Sequence, residues 1–236
     1  MERSKVPLHK WLYSMYLLVT SRKGISSMQL AKEIGITQKS AWFVLHRLRE
    51  ACGDQLETLR GMIEVDESYF GGKEGNKHKK KKLNAGRGAV GKTAVLGLRE
   101  RGGSTLAFPL ADTEAPTIQQ AIYDNCEPGS TILTDEHGSY RDLDGLFYRH
   151  STVNHSAGVF KRGIASTNSI ESVWAVMKRG MHGVYHKASP KHLHRYVNEF
   201  AFRLNKGNVK RHTLHRLDSF VDGMKGKRIT YKELTQ

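Results

Sequence analysis

The chain has 236 residues, room for one large domain or a small one joined to a medium one. Hydrophobic residues make up 38%, enough for a core, and Lys plus Arg outnumber Asp plus Glu by 38 to 23, a net charge of +15. Such a surplus repels itself and calls for a polyanionic partner, nucleic acid ahead of an anionic membrane. No run approaches the roughly 18 apolar residues of a membrane span, and "WLYSMYLLV" (11–19) is too short and lacks a cleavage site. Two cysteines, Cys52 and Cys126, build neither a disulfide framework nor a zinc ribbon, which fits a reducing cytoplasm.

Residues 8–52 carry a helical pattern throughout. "ISSMQLAKEIGITQKSAWFVLHRLRE" reads as two helices around a tight turn. Ser26 or Ser27 caps the first helix, Gly35 makes the turn and Thr37 caps the second. Ala31 is small where the helices would cross. Ala41, Val44, Leu45 and Leu48 form the inner stripe of the second helix, leaving Gln38, Lys39, Ser40, His46, Arg47 and Arg49 largely outside. As a helix-turn-helix, this pair would aim Gln38, Lys39 and Ser40 at the bases of a major groove, with Arg47 also facing DNA. An ordinary helical hairpin is the plainer alternative.

Beyond Gly61 the periodicity changes. "MIEVDESYF" (62–70) alternates as a strand, and "TAVLGLRE" and "TLAFPLAD" follow as two more, split by the turn "RGG". "TEAPTIQQAIYDNC" reads as a helix, "STILTDE" as a buried strand and "LFYRHSTV" as a fifth strand. A helix over about 167–181 and another over 191–205 complete an α/β order that matches a ribonuclease H-like topology with a mixed five-stranded sheet, preceded by the all-α helix-turn-helix domain. The expected division is residues 1–58 for DNA binding, 59–206 for the ribonuclease H-like domain and 207–236 as a basic tail.

Residues 71–92 are rich in Gly and Lys without apolar periodicity and read as a mobile basic loop, with Lys79, Lys80, Arg87 and Lys92 available to phosphates. "GRGAVGKT" (86–93) fits the phosphate-binding pattern G-x-x-x-x-G-K-[ST]. That motif needs a strand before it and a helix after it; here a lysine run precedes and strand composition follows, so nucleotide binding is rejected.

Three carboxylates stand out. Asp66 lies in the apolar strand "IEVDES" and Asp135 ends "TILTDE"; a carboxylate so placed is costly without a cation or donors. In the helix from Thr167, Ile170, Val173, Trp174, Met177 and Met181 form the core stripe. Glu171, Ala175, Lys178 and His182 run beside it, so Glu171 and Lys178 share a face two turns apart. Between Asp135 and Glu171 lie 35 residues.

These features resemble an insertion-sequence transposase of the DDE type. The spacing of 35 and the basic residue seven past the glutamate resemble the retroviral integrase and transposase pattern. "IEVDESYFGG", "GRGAVGKTAVLGL", "TNSIESVWAVMKRGMHGVYH" and "KHLHRYVNEFAFRLN" resemble the ISXO2-like transposase domain, and the upstream helix pair resembles that group's helix-turn-helix. Together they cover most of residues 8–206. Members of this group commonly begin with a zinc ribbon, which this sequence lacks. Some carry asparagine in the third catalytic place, and many have histidine where Ser166 stands, leaving the role of Ser166 open.

The resemblance implies a triad of Asp66, Asp135 and Glu171 as catalytic residues and metal ligands. Two divalent ions about 4 Å apart would neutralise the attacking and leaving oxygens, and an all-oxygen ligand set favours Mg²⁺ or Mn²⁺. Lys178, Arg179 and His182 would hold the DNA backbone. Glu64 stays a rival to Asp66 for the first place, because both point to one face of the strand. The other histidines, in "KHLHRY" and "HKASPKHLH", lie on a basic surface. The expected activity is cleavage of element ends and transfer of the 3′-hydroxyl to target DNA. The partners would be double-stranded DNA and further copies in a homodimer or larger multimer, with no membrane, in a prokaryotic cytoplasm at the nucleoid. A DNA-binding regulator on an inert ribonuclease H-like scaffold is the alternative.

Overall fold

The computed structural model describes residues 4–53, 58–72, 74–83, 89–136, 138–140, 143, 149–152 and 166–236. The chain divides into two compact units: residues 1–55, 178–186 and 195–236 form one, residues 56–177 and 187–194 the other.

The first unit is helical. Helix α1 spans Leu8–Thr20, α2 Ser27–Ile34 and α3 Gln38–Glu50. Ser26 Oγ accepts from the Gln29 N–H at 3.1 Å and Thr37 Oγ1 from the Ser40 N–H at 3.2 Å, so both expected caps form. Gly35, at φ 60°, takes the left-handed conformation that closes α2. Ala41, Val44, Leu45 and Leu48 are fully buried, as their spacing requires.

Two residues of α3 depart from expectation. His46 and Arg49 face inward, 0% and 2% exposed. Arg49 is drawn in by Glu199 of helix α6 (Pro190–Leu204), whose Oε2 accepts from its Nε at 2.5 Å. Arg203 pairs with the same carboxylate and Tyr185 donates to it at 2.5 Å. Burial would raise the Glu199 acid, but Arg203 and Arg49 outweigh it and hold the group at about 2. The His46 ring packs edge-on against Trp42 and Tyr196.

The segment after residue 207, which composition presents as a polar tail, folds into α7 (Thr213–Asp222) and α8 (Tyr231–Thr235). Phe220 enters the core against Phe202, fully buried. Helix α1 has no basic residue in its own last turn, and its end carbonyls are met from afar. Arg203 donates to Leu18 O and Ser21 O, and Arg216 to Val19 O.

The second unit is built on a mixed five-stranded sheet, ordered β3-β2-β1-β4-β5. Strand β1 spans Met62–Phe70, β2 Thr93–Glu100, β3 Thr105–Pro109, β4 Thr131–Thr134 and β5 Arg149–Thr152. The first three are antiparallel in sequence; β4 runs parallel to β1, and β5 to β4. Helix α4 (Ala115–Asn125) crosses from β3 to β4 and buries Ile118 and Ile122 against Ile63, Val65, Leu96 and Leu98 on one face. Helix α5 (Asn168–Gly180) presents Ile170 and Trp174 to Gly97 of β2 on the other face. Strand order, directions and crossover are those of the ribonuclease H-like fold.

The sequence "GRGAVGKT" leads into β2 and not into a helix, which removes the phosphate-loop reading. Among the described residues of 71–92 there are two short 3₁₀ turns, Glu74–Asn76 and Lys79–Lys81. Gly86 and Arg87 lie outside the described residues.

Candidate active site

Strand alternation divides the acids of β1 between the two faces of the sheet. Val65 faces the α4 side; Glu64 and Asp66 face α5. In the parallel register Glu64 stands opposite Leu133, and two residues further on this brings Asp66 level with Asp135, just past the end of β4. Glu171 comes from the first turn of α5.

The Trp174 indole N–H holds Asp66, donating to its Oδ2 at 2.8 Å. Its acid is pushed up to about 6, first by burial and then by the charges of Asp135 and Glu171, with the Trp174 bond pulling the other way. Glu171 is exposed, its Oε1 accepting from Thr167 Oγ1 at 3.2 Å. On the far side of β1, Glu67 and Tyr140 are neighbours, and the Tyr140 phenol is raised first by burial and then by Glu67, Asp66 and Asp135.

Glu64 is bound quite differently. Its Oε1 accepts from Arg101 Nε at 2.8 Å, and its Oε2 from the Ser169 N–H at 2.8 Å, Ser169 Oγ at 2.6 Å and the Ile170 N–H at 3.0 Å. Arg101 in turn donates through Nη2 to Ser166 O and Oγ, at 3.0 and 2.8 Å, which gives Ser166 a partner. With four donors already on its carboxylate, three of them on Oε2, Glu64 is far more heavily bound than Asp66, and Asp66 is the better candidate for the first ligand place.

The donor set suits a hard divalent cation: three carboxylates, no thiolate or imidazole, and mutual repulsion that a cation would relieve. Among the described residues no three Asp, Glu, His or Cys side chains are already gathered into a metal cage. Trp174 and Thr167 hold Asp66 and Glu171 in their present directions.

The residues expected at DNA fall into three groups. Lys79, Lys80, Lys178, Arg179 and His182 are exposed, and Lys92 is half-buried. At the start of α3, Gln38 donates to Ser27 Oγ at 2.9 Å, Ser40 Oγ accepts from Thr37 Oγ1 at 2.9 Å, and the Lys39 ammonium sits 5.1 Å over the Tyr231 ring of α8. Arg47 is half-buried over the rings of Trp11 and Phe43. Sequence reasoning missed Trp174, Gly97, Arg101 and Ser169 as parts of the site. An acid inside an apolar strand was the signal that a buried arginine or helix end must meet it.

The fold is that of a ribonuclease H-like domain. The family model for the ISXO2-like transposase domain matches residues 58–205, and the chain belongs to that family. No curated protein sequence matches it. Among solved structures it is similar to the simian T-cell lymphotropic virus intasome, at 12% identity and a TM-score of 0.40, covering 94% of this chain and 74% of that one. It is also similar to the Mos1 strand transfer complex, at 14% identity and a TM-score of 0.40, covering 95% and 78%. A Mos1 mariner paired-end complex with Mn matches at 14% and 0.27, covering 97% and 83%. Among the described residues no helix is long and apolar enough to cross a membrane.

Proposed function

We infer that the protein is a DNA transposase that cuts the ends of an insertion element and joins the freed 3′-hydroxyl to target DNA. Asp66, Asp135 and Glu171 are its catalytic carboxylates. The observation that carries this reading is the raised Asp66 acid, burdened by Asp135 and Glu171, inside a domain of the transposase family. Asp66, Asp135 and Glu171 would hold Mg²⁺ or Mn²⁺, which would supply charge neutralisation at the attacking and leaving oxygens and make water or a hydroxyl nucleophilic. Trp174 fixes the direction of Asp66, and the lysine-rich 71–92 segment and Lys178, Arg179 and His182 supply positive charge for the DNA backbone. Residues 1–58 act as the helix-turn-helix through Gln38, Lys39 and Ser40, and the chain works as a dimer or larger multimer because two ends must be held together.

The test uses a labelled duplex carrying the element's own end and a supercoiled target plasmid, with Mg²⁺, Mn²⁺ or a chelator. Metal-dependent nicking followed by joined product is expected. Nicking without joining would make the protein a nuclease, and binding without any cut under either metal would make it a regulator.

A further inference from the structure

Glu64 is buried, pairs with Arg101 and lies two residues from Asp66 on the same face of β1. We propose that Glu64, locked by Arg101, is a positioning residue that fixes the first turn of α5, and with it Glu171, while holding no metal itself. The proposal rests on the transposase reading given above.

A helix leaves its first N–H groups without internal partners, and the side chain just before it normally accepts from one of them. Here the Thr167 hydroxyl donates to Glu171. The free N–H groups of Ser169 and Ile170 go to Glu64, whose negative charge also suits the positive end of the helix. Arg101 completes the clamp: it neutralises Glu64 and ties Ser166, the residue before Thr167. The start of α5 is thus fastened to β1 and to the turn after β2 at once. Glu171 is the residue immediately after Ile170, and its own N–H closes the first helical bond, to Thr167 O.

Glutamine cannot take the place of Glu64. Its amide NH₂ would face either the Arg101 Nε–H or the N–H groups of α5, leaving donor against donor in a buried site. A group that orients a ligand in this way typically alters metal affinity or activity by about 10–100-fold when changed.

The experiment compares Glu64→Gln, Arg101→Ala, their double variant and Glu171→Gln with the full wild-type chain. Amide hydrogen exchange at Ser169 and Ile170 is measured without metal, and Mn²⁺ is titrated by direct binding and by cleavage of the element end. Glu64→Gln and Arg101→Ala should each speed exchange of those two amides by roughly tenfold, the scale of one lost charged hydrogen bond. Each should raise the Mn²⁺ midpoint by about 10–100-fold, with cleavage largely restored at saturating Mn²⁺, and the double variant should add little to either. Loss of cleavage at every Mn²⁺ concentration with the α5 amides still protected would overturn the proposal by making Glu64 a ligand. An unchanged Mn²⁺ midpoint would overturn it by leaving Glu64 a purely structural role. If Glu64→Gln does not fold, Ser169→Ala removes one donor from the same carboxylate, and its midpoint must rise several-fold for the proposal to stand. Wild-type protein that neither binds Mn²⁺ nor cuts would show a different failure, that of the transposase reading itself, and positioning would fall with it.

Discussion

The Trp174 indole reaches Asp66 because Gly97, the residue paired with Asp66 on β2, has no side chain. A Cβ at Gly97 would stand 2.5 Å from Trp174 Cζ2 and 2.8 Å from Ile170 Cδ1, both closer than atoms pack. Gly97→Ala should therefore push the indole off the sheet at a cost of about 1–3 kcal/mol. Chemical denaturation with tryptophan fluorescence checks this: a red-shifted spectrum and a lower midpoint are expected, together with slower cleavage. Trp174→Phe should keep most of the stability and lose the Asp66 bond alone.

Asp66 makes the metal-free protein less stable as pH rises. Its folded acid sits at about 6, above the ordinary 3.8, so the folded state holds the proton more tightly than the unfolded one. The penalty is absent below about pH 4, grows between 4 and 6, and is complete above 6, with an upper bound of about 3 kcal/mol from 1.36 kcal/mol per unit. Asp66→Asn should melt higher than wild type at pH 7–8 in a chelator, with the gain vanishing near pH 4. A gain that persists at pH 4 would mean another cause.

Glu199 carries the opposite sign. Its folded acid lies at about 2 against an ordinary 4.5, so its contribution is present above about pH 4.5 and is lost as pH falls toward 2. Glu199→Gln leaves Arg49 and Arg203 buried beside a neutral amide and should destabilise by about 3–5 kcal/mol at pH 7. Thermal melts from pH 7 to pH 2 should show the gap between variant and wild type closing on the acid side.

The two faces of α3 should separate binding from stability. Lys39 is exposed, and Lys39→Ala should weaken binding of any duplex while lowering the salt slope of the binding constant by about 1. Arg49 is buried against Glu199, and Arg49→Ala should instead lower the melting temperature. Titrations at several salt concentrations, paired with melts, distinguish the two.

Much of the architecture was legible because it is local. Strand β1 and strand β2 match their alternating runs to the residue, and Ser26, Gly35 and Thr37 act as their chemistry requires. What escaped depends on partners far along the chain. Arg49 and His46 look like surface residues until Glu199 and Tyr196, some 150 residues later, draw them inward. Helices α7 and α8 each bury a single large apolar residue, Phe220 and Leu234, too sparse a pattern to stand out among charges. At the site, Asp66, Asp135 and Glu171 were singled out by their placement in strand and helix patterns and by the family resemblance. The bonds that separate Glu64 from Asp66 were not, because Arg101 and Ser169 come from a turn and a helix that only the fold brings to β1.

The proposed function requires DNA cleavage by Asp66, Asp135 and Glu171 with a divalent metal. Its most direct test is the cleavage rate of a labelled element end by Asp66→Ala, Asp135→Ala and Glu171→Gln in Mg²⁺ and Mn²⁺, beside duplex binding in a chelator. All three should bind as wild type does, and each should lose cleavage by at least about a thousandfold, some 4 kcal/mol of barrier. Cleavage that survives in all three would contradict it.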